Sequence, residues 1–256
     1  MLAAASNVML RALLAPTCAA CDQSLPAPLD GAICPSCWQR VARVVAPVCQ
    51  TCGDHLAGVA IEAHCARCRE TPPAFSMARS AGAYDHALRD MIHALKYRRR
   101  RMIAPWLAAR IARECAEVLH GADAVIPVPL HAWRQWQRGF NQADDLAQCL
   151  GVPVWRVLRR RRGGPPQAGL PASQRHANAL GAYALRRLER FGRHRLQQAV
   201  VVLVDDVLTT GATLDACARV LRAAGVADVR GVTAARAVAG PQPPQLLTRH
   251  LSTVRR

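Results

Sequence analysis

Four C-x-x-C pairs fall within the first 70 residues, and they constrain the fold more than any other feature of the chain. The pairs form two copies of one pattern, because every cysteine of the first copy recurs 31 positions later, and such self-similarity marks a duplication. Two C-x-x-C turns together present four thiolates at the spacing of a tetrahedral zinc site. The sequence therefore predicts two structural zinc ions bound by Cys18, Cys21, Cys34, Cys37, Cys49, Cys52, Cys65 and Cys68.

The spacing leaves open how the pairs share the two ions, within each copy or crossed between copies. A redox role is the alternative for a C-x-x-C pair, and the fourfold repeat argues against it. Cysteines this close in sequence are poorly placed for disulfides between distant parts of a chain, and a cytosolic protein keeps them reduced. His55 and His64 are spare, because the cysteines already fill both sites. A segment with so little apolar content depends on its metal to fold.

The N-terminal segment predicts neither secretion nor insertion into a membrane. Residues 1–17 form an expected short amphipathic helix, in which Arg11 interrupts the apolar run and no basic residue precedes it. No run approaches the roughly 18 apolar residues of a membrane-spanning helix. We therefore expect a cytoplasmic protein without a membrane span. Three further cysteines lie among Ala and Leu in helical patterns and are expected to be small core residues: Cys115, Cys149 and Cys217.

The chain is strongly basic. Its formal net charge is +17, with 34 Lys and Arg residues against 17 Asp and Glu residues. A charge of this size favours polyanionic partners such as nucleic acid or nucleotides, whereas a solvated arginine-rich surface is the alternative interpretation. Lys96 is the single lysine in a chain that otherwise uses arginine, and we predict that it contacts a phosphate or a base.

Beyond the cysteines, helical and strand patterns alternate, which predicts an α/β domain over 75–239 after a double zinc ribbon over 18–72. The expected fold is a mostly parallel sheet with helices on both faces. The Gly- and Pro-rich stretch 161–178 predicts a long loop, and 240–256 a disordered tail. Apolar periodicity predicts strands over 124–130, 155–160, 199–206 and 228–238, and helices over 85–97, 102–120, 141–151 and 213–225.

Residues 200–213 read VVVLVDDVLTTGAT, a buried strand that runs into two acids and a hydroxyl-rich turn. Parallel sheets bind ligands at the carboxyl ends of their strands, and Asp205 and Asp206 fall there. The turn leads into a helix whose first amides and dipole favour a phosphate, and Gly211 lets the backbone approach that anion closely. Two carboxylates accept hydrogen bonds from sugar hydroxyls, so a ribose 5-phosphate is expected. A simple helix cap is the alternative, but a cap would need only one acid. The hydroxyl groups that would donate to the phosphate belong to Thr209, Thr210 and Thr213.

This stretch resembles the phosphoribosyl pyrophosphate signature of type I phosphoribosyltransferases. The resemblance implies that Asp205 and Asp206 contact the ribose hydroxyls. It also implies that the loop grips the 5-phosphate through Thr209, Thr210, Gly211, Ala212 and Thr213.

Further motifs resemble the ComF family, whose members are associated with competence and with the uptake or use of external DNA. The zinc segment at the front matches that family too. The motifs are ALKY at 94–97, IPVPLH at 126–131, RGFNQA at 138–143 and the series Gln167, Arg175 and Asn178.

The same resemblance implies two more binding elements. A pyrophosphate loop falls in IPVPLHAWRQWQRGFN, with Arg138, Gly139 and Asn141 as its contacts. Arg138 can donate two parallel hydrogen bonds to a phosphate, although an ordinary surface arginine is the alternative. A flexible catalytic lid falls at 161–178, where Arg175 is the expected contact and Gln167 a second one.

Two functions fit these observations. The first is an accessory protein of competence or DNA uptake that binds phosphoribosyl pyrophosphate or a related nucleotide. Its zinc ribbon and basic surface would meet single-stranded DNA or DNA-transport proteins. Trp133 and Trp136 could stack on bases there, although core packing is expected for most of the five tryptophans.

The alternative is a phosphoribosyltransferase that acts on an unidentified nitrogenous base. Magnesium would accompany phosphoribosyl pyrophosphate and stabilise the departing charge, with Asp205 and Asp206 as catalytic residues. The Pro-rich end of the chain shows no obvious base-recognition segment after residue 238, which weakens this second interpretation.

Overall fold

The computed structural model describes residues 2–56, 63–161, 181–186 and 193–237. A four-stranded parallel sheet and a two-stranded antiparallel sheet organise the larger part of these residues. The strands are β1 (Met77–Ser80), β2 (Ala124–Pro127), β3 (Leu158–Arg160), β4 (Tyr183–Leu185), β5 (Val200–Leu208) and β6 (Asp228–Arg236).

The parallel sheet has the strand order β1-β6-β5-β2. The two central strands pair over their whole length, from Val200 opposite Asp228 to Leu208 opposite Arg236. The helices are α1 (Leu2–Leu14), α2 (Pro35–Gln39), α3 (Ala66–Glu70), α4 (His86–Tyr97), α5 (Ala104–Glu114), α6 (Ala116–Leu119), α7 (Ala132–Arg138), α8 (Gln142–Gln148) and α9 (Ala212–Arg222).

Helices cover both faces of the parallel sheet, as the alternation of side chains along β5 shows. Val202 and Val204 pack into one core with residues of α4, α5 and α8. Val201 and Leu203 point to the other face and pack with residues of α9. A strand buried on both faces reads as a continuous apolar run, which is how β5 appears in the sequence. The predicted α/β fold is confirmed.

Some predicted elements have different bounds for local reasons. The helix expected over 102–120 divides at Cys115, whose backbone leaves helical geometry at φ −119° and ψ 26°. α5 begins beside Pro105, because the first helical turn does not need the amide that proline lacks. β2 ends at Pro127, and Pro129 follows two residues later. Prolines are tolerated there because β2 is an edge strand, and the amide of Val128 between them still donates to the carbonyl of Val204 at 2.9 Å.

Two strands depart from the sequence-based expectation. β1 was not predicted, because four residues are too few for a periodic signal. The strand expected over 155–160 is shorter, and as β3 it pairs with β4 in the separate antiparallel sheet. Just before it, Val154 makes a single parallel bridge to Val125 of β2.

The cysteine-rich segment packs directly on the α/β part. Cysteines of the first copy belong to the core under α4 and α5, whereas those of the second copy belong to the core under α9. Backbone bonds join the two parts, because the amide of Ala78 donates to the carbonyl of Thr51 at 2.7 Å and that of Ala83 to Ala42 at 2.9 Å. The ribbon therefore shares the hydrophobic core of the sheet.

Two predicted segments fall beyond the described part of the chain. These are the loop at 161–178, apart from its first residue, and the tail at 240–256. Among the helices of the described ranges, none is both long enough and apolar enough to cross a bilayer.

Candidate functional site

The eight cysteines of the repeat form two compact clusters, each from one copy. In each cluster the four Sγ atoms all lie within 4.8 Å of one another. Sulfur pairs are separated by 4.0 Å for Cys18 and Cys37 and by 3.8 Å for Cys21 and Cys34. The clusters are Cys18, Cys21, Cys34, Cys37 and Cys49, Cys52, Cys65, Cys68.

These distances fit zinc. Four ligands at a Zn–S distance of about 2.3 Å in a tetrahedron lie roughly 3.8 Å apart, which agrees with the sulfur separations in both clusters. Four soft thiolates are also the ligands that a structural zinc site prefers. The geometry supports two four-cysteine zinc sites and resolves the open pairing, because each ion is bound within one copy of the repeat.

The two acids of the ligand-binding motif lie inside β5, which continues two residues beyond them to Leu208. Pairing with β6 extends over this end of the strand, so the acids are held by the ladder and not by a loop. Successive side chains of a strand point to opposite faces. Asp205 therefore points to the α9 face, and Asp206 to the face covered by α4 and α8.

Asp206 is 5 % exposed and is held by two partners. The ammonium Nζ of Lys96, from α4, lies 2.7 Å from its Oδ1. Gln142, the first residue of α8, donates from Nε2 to its Oδ2 at 2.5 Å. The structure thus places the single lysine against the acid pair, where it neutralises a buried carboxylate.

Asp205 has a different environment. Desolvation in the interior, with the negative charge of Asp206 as the second cause, raises the pKa of Asp205 to about 7. The positive charges of Lys96 and Arg160 oppose this shift. The amide of Asp206 also donates to the Asp205 carboxylate at 2.8 Å. Asp205 therefore can gain or lose a proton near neutral pH.

The small antiparallel sheet brings two residues to the Asp205 face. The guanidinium of Arg160, in β3, lies 5.5 Å from the ring centroid of Tyr183, in β4. Burial raises the pKa of Tyr183, whose hydroxyl interacts with Thr213 at the start of α9. Sequence reasoning missed both residues, because nothing in the short strands signals which sheet they join.

The turn after β5 has the geometry of an anion site. Gly211 adopts a left-handed conformation with φ +84° and directly precedes α9. The ring of Phe75 would lie 3.7 Å from a Cβ at that position. Thr209 is exposed and Thr210 half-buried. The amide of Ala212 points to the Thr210 hydroxyl at 3.4 Å, and the first amides of α9 have no partners within the helix.

The predicted pyrophosphate segment contains the short helix α7, which ends at Gly139 in a left-handed conformation with φ +80°. Arg138 donates from Nη1 to Oε1 of Gln142 at 3.1 Å, and its guanidinium lies 5.0 Å from the ring centroid of Tyr97. The Asn141 side chain caps α8 by accepting from the amide of Ala143 at 3.1 Å. Arg138 is thus joined to Asp206 through one glutamine.

The structure brings most of the predicted ligand contacts to one edge of the sheet. Gln142 joins them, although sequence reasoning passed over it within the RGFNQA motif. The predicted lid contacts Arg175 and Gln167 lie outside the described residues. The contacts gathered at the edge are Lys96, Arg138, Gly139, Asn141, Asp205, Asp206, Thr209, Thr210, Gly211, Ala212 and Thr213.

One expectation about buried side chains is wrong, and the two tryptophans that could stack on bases are exposed. Cys149, expected in the core, is exposed at the end of α8, whereas Cys115 and Cys217 are buried as predicted. Trp133 and Trp136, which lie in α7, are 59 % and 81 % exposed. These two rings stand on a solvent-facing helix and do not fill the core.

A double zinc ribbon followed by a domain of the phosphoribosyltransferase type is the class of protein that this fold and these sites define. Family models agree: the double zinc ribbon domain matches residues 9–69, and the phosphoribosyl transferase domain matches residues 136–252. The chain belongs to the ComF family of competence and DNA-utilization proteins.

The relatives that show this family are similar over most of their length. Competence protein F of Haemophilus influenzae is 32% identical over 231 residues, covering 86% of this chain and 96% of that protein. DNA utilization protein YhgH of Escherichia coli O6:H1 is 35% identical over 211 residues, covering 77% of this chain and 87% of that protein.

A solved structure of glutamine phosphoribosylpyrophosphate amidotransferase from B. subtilis, complexed with ADP and GMP, is 22% identical. The similarity has a TM-score of 0.34 and covers 52% of this chain and 26% of that one.

Proposed function

We propose that this chain binds a ribose 5-phosphate ligand, such as phosphoribosyl pyrophosphate, at the carboxyl end of β5. The observation that carries the proposal is the continuity of the acid pair with the left-handed turn at Gly211 and the start of α9. Asp205 and Asp206 accept from the ribose hydroxyls. The threonine turn donates to the 5-phosphate, and helix amides add to the attraction for the anion.

The other charged groups at the edge complete this assignment. Arg138, with Gly139 and Asn141, is the proposed contact of a pyrophosphate group, and these residues lie at the end of α7 and the start of α8. Magnesium supplied with the ligand would screen its diphosphate, next to the carboxylates that a hard cation prefers. Lys96 orients Asp206 and compensates its charge, because a buried carboxylate needs a partner of opposite charge.

The names of the relatives, competence protein F and DNA utilization protein YhgH, support a role in competence and DNA uptake. We assign this chain to that role as a cytoplasmic accessory protein, because thiolate zinc sites persist in a reducing compartment. Single-stranded DNA is its proposed polyanionic partner, with DNA-transport proteins as further partners. The exposed rings of Trp133 and Trp136 beside Arg134 offer stacking and charge on one helix.

Calorimetry with magnesium, phosphoribosyl pyrophosphate and the zinc-loaded full chain tests the ligand assignment. We expect saturable binding, which the double substitution Asp205→Asn/Asp206→Asn weakens at least about tenfold, since two hydroxyl acceptors change. Asp144→Asn is the control, because this acid pairs with Arg156 elsewhere on the surface. Equal affinity in the double variant and the wild type would refute the assignment.

Transfer of the phosphoribosyl group is a second function, which the environment of Asp205 favours. A carboxyl group whose pKa is about 7 can accept a proton at physiological pH. In that reaction the bond from the anomeric carbon to pyrophosphate breaks, a bond to a base nitrogen forms, and Asp205 takes the nitrogen proton. Pyrophosphate release over a panel of bases, compared with Asp205→Asn, decides this point. No release above that variant rejects transfer to those bases.

A further inference from the structure

A cleft opens between the first zinc cluster and α4, on the side of the molecule where Asp206 lies. Its volume is about 340 Å³, at the lower end of the range for small-molecule sites. One wall is the first cysteine turn and the other is one face of α4. The lining residues are Ala20, Cys21, Asp22, Asp90, His93, Tyr97 and Arg98.

The α4 wall carries aromatic rings and an acid at helical spacing. Asp90, His93 and Tyr97 lie on consecutive turns, and the rings of His93 and Tyr97 meet edge to face at 5.2 Å. The imidazole of His93 is also anchored at 3.1 Å to the hydroxyl of Tyr84. Tyr97 remains 65 % exposed. A fixed, exposed ring of this kind offers a stacking surface for a planar molecule.

The two acids that line the cleft, Asp22 and Asp90, differ in their partners. Asp22 accepts from Arg98 and from Arg100, each at 2.5 Å, so its carboxylate is occupied within the wall. Asp90 meets only Arg89 at 3.5 Å among the ion pairs of the described chain, and both side chains are more than half exposed. Asp90 is therefore the acid that remains able to accept hydrogen bonds from a ligand with amino groups.

A short chain of contacts joins this cleft to the acid pair. Tyr97 follows Lys96, whose ammonium is bound to Asp206. The guanidinium of Arg138 lies over the Tyr97 ring and donates to Gln142, which itself donates to Asp206. Tyr97 is therefore connected to Asp206 through the side chains of Arg138 and Gln142.

We propose that this cleft binds a planar nitrogenous base with amino groups, stacked on Tyr97 and donating to Asp90. The proposal rests on the ribose-phosphate site proposed above, because a nitrogenous base is the partner that a ribose 5-phosphate ligand calls for. It also gives the zinc ribbon a direct role, as the wall that closes the cleft. The base is either free or part of a nucleotide, and the two sources share this chemistry.

Adenine and unsubstituted purine are the probes, with adenosine 5′-monophosphate to distinguish a free base from a nucleotide. Titration of the zinc-loaded full chain should show adenine binding more tightly than purine, which lacks the amino group. Tyr97→Leu and Asp90→Asn should each weaken adenine binding at least about fivefold, because stacking and a hydrogen bond to a charged acceptor each usually contribute at least this much to the binding free energy. Tighter binding of the monophosphate than of adenine would identify a nucleotide as the ligand.

Matched controls are Trp106→Leu, an aromatic ring outside the cleft that packs at Gly31, and Asp30→Asn, an exposed acid of the ribbon. Both should retain the affinity of the wild type for adenine. Unchanged binding in Tyr97→Leu and Asp90→Asn, or no adenine binding at all, overturns the cleft assignment. Loss of binding in Trp136→Leu alone also overturns it, since the base would then stack on α7.

Binding of ribose 5-phosphate with magnesium is measured in the same preparations. Intact ribose 5-phosphate binding with no adenine binding rejects only the cleft. Adenine binding without ribose 5-phosphate binding rejects the ribose-phosphate site and supports the assignment of the cleft as a base-binding site.

Discussion

Arg236 reaches from the end of β6 into the second cysteine cluster, where its Nη2 lies 2.9 Å from Oδ2 of Asp54. Its Nη1 donates to the carbonyl of Cys52 at 2.7 Å, and the whole residue is 1 % exposed. In the sheet, Arg236 is paired with Leu208 at the end of the strand that carries the acid pair. One buried cation thus joins the zinc ribbon to the edge of the candidate ligand site.

Replacing this cation should destabilise the protein strongly. Arg236→Met leaves Asp54 and the Cys52 carbonyl without their buried donor, and breaking a buried ion pair costs about 3 kcal/mol or more. Arg67→Met is the matched control, because Arg67 also contacts Asp54 but is half-exposed, so its loss should cost less than about 1 kcal/mol. Chemical unfolding of both variants measures how much each loses in the free energy of unfolding. Equal losses in Arg236→Met and Arg67→Met would contradict the role of Arg236.

The zinc sites predict a metal stoichiometry that depends on single cysteines. The wild-type chain should retain two zinc ions after dialysis. Cys68→Ser should retain one, because the second cluster loses a thiolate ligand. Cys149→Ser, which changes an exposed thiol outside both clusters, should retain two. Metal analysis of the three proteins checks this, and two ions in Cys68→Ser would exclude the assignment of that ligand.

Asp205 should make a contribution to stability that falls as pH rises toward neutrality, whereas the thiolate zinc sites have the opposite pH dependence. Its pKa is raised from 3.8 to about 7 on folding, so the folded state binds more protons than the unfolded state between these values. This contribution to the free energy of unfolding therefore decreases through that window, by at most about 4 kcal/mol. Asp205→Asn should remove this dependence, and unfolding at pH 4.5 and pH 7.5 measures it.

The acids whose pKa is lowered affect the stability of the fold in a separate, more acidic pH range. Arg100 and then Arg98 lower the pKa of Asp22. Hydrogen bonds from Ser76 and Arg230 lower that of Asp228 against the effect of burial. Their stabilisation is present above pH 3.8 and is lost only as pH falls below it. An equal change in stability between pH 4.5 and pH 7.5 in the wild type and in Asp205→Asn would refute the shift assigned to Asp205.

The pair of Lys96 and Asp206 should show strong energetic coupling. Lys96→Met leaves a buried carboxylate with only Gln142 as a described partner, so a loss of about 3 kcal/mol is expected. Asp206→Asn in the same chain should recover part of that loss, because the uncompensated charge is removed. A double-mutant cycle from unfolding curves should give at least about 1 kcal/mol of coupling. Additive effects would mean that the ion pair does not stabilise the fold.

Local chemistry made much of this structure predictable. The zinc ligands follow from cysteine spacing, because each C-x-x-C pair presents two thiolates from one tight turn. The succession of strand, left-handed turn and helix around Asp206, Gly211 and Thr213 follows from residues that are neighbours in sequence. A continuous apolar run likewise identified β5, since a central parallel strand is buried on both faces.

Contacts between distant segments could not be predicted in the same way. Lys96 and Asp206 are far apart in sequence, and only the packing of α4 on the sheet brings them together. The sharing of zinc within each copy depends equally on three-dimensional packing. The cleft beside Tyr97 needs the ribbon as its second wall, so a search of the chain's end for a base-recognition segment could not find it.

The exposed tryptophans and the arginines of α7 should contribute to DNA binding in different ways. Stacking carries little salt dependence, whereas each arginine that meets a phosphate releases counterions. Trp133→Leu/Trp136→Leu should therefore weaken binding of labelled single-stranded DNA at least about tenfold, with the slope against salt concentration unchanged. Arg134→Gln should reduce that slope by about 1.

Fluorescence anisotropy over a range of salt concentrations separates the two effects. Cys149→Ser serves as the control for a change on an exposed part of the neighbouring α8. Affinity that is unchanged in the double tryptophan variant would show that DNA does not bind on α7. Weak binding even at low salt would reject the DNA partner altogether, since a chain with a net charge of +17 binds nonspecific polyanions best there.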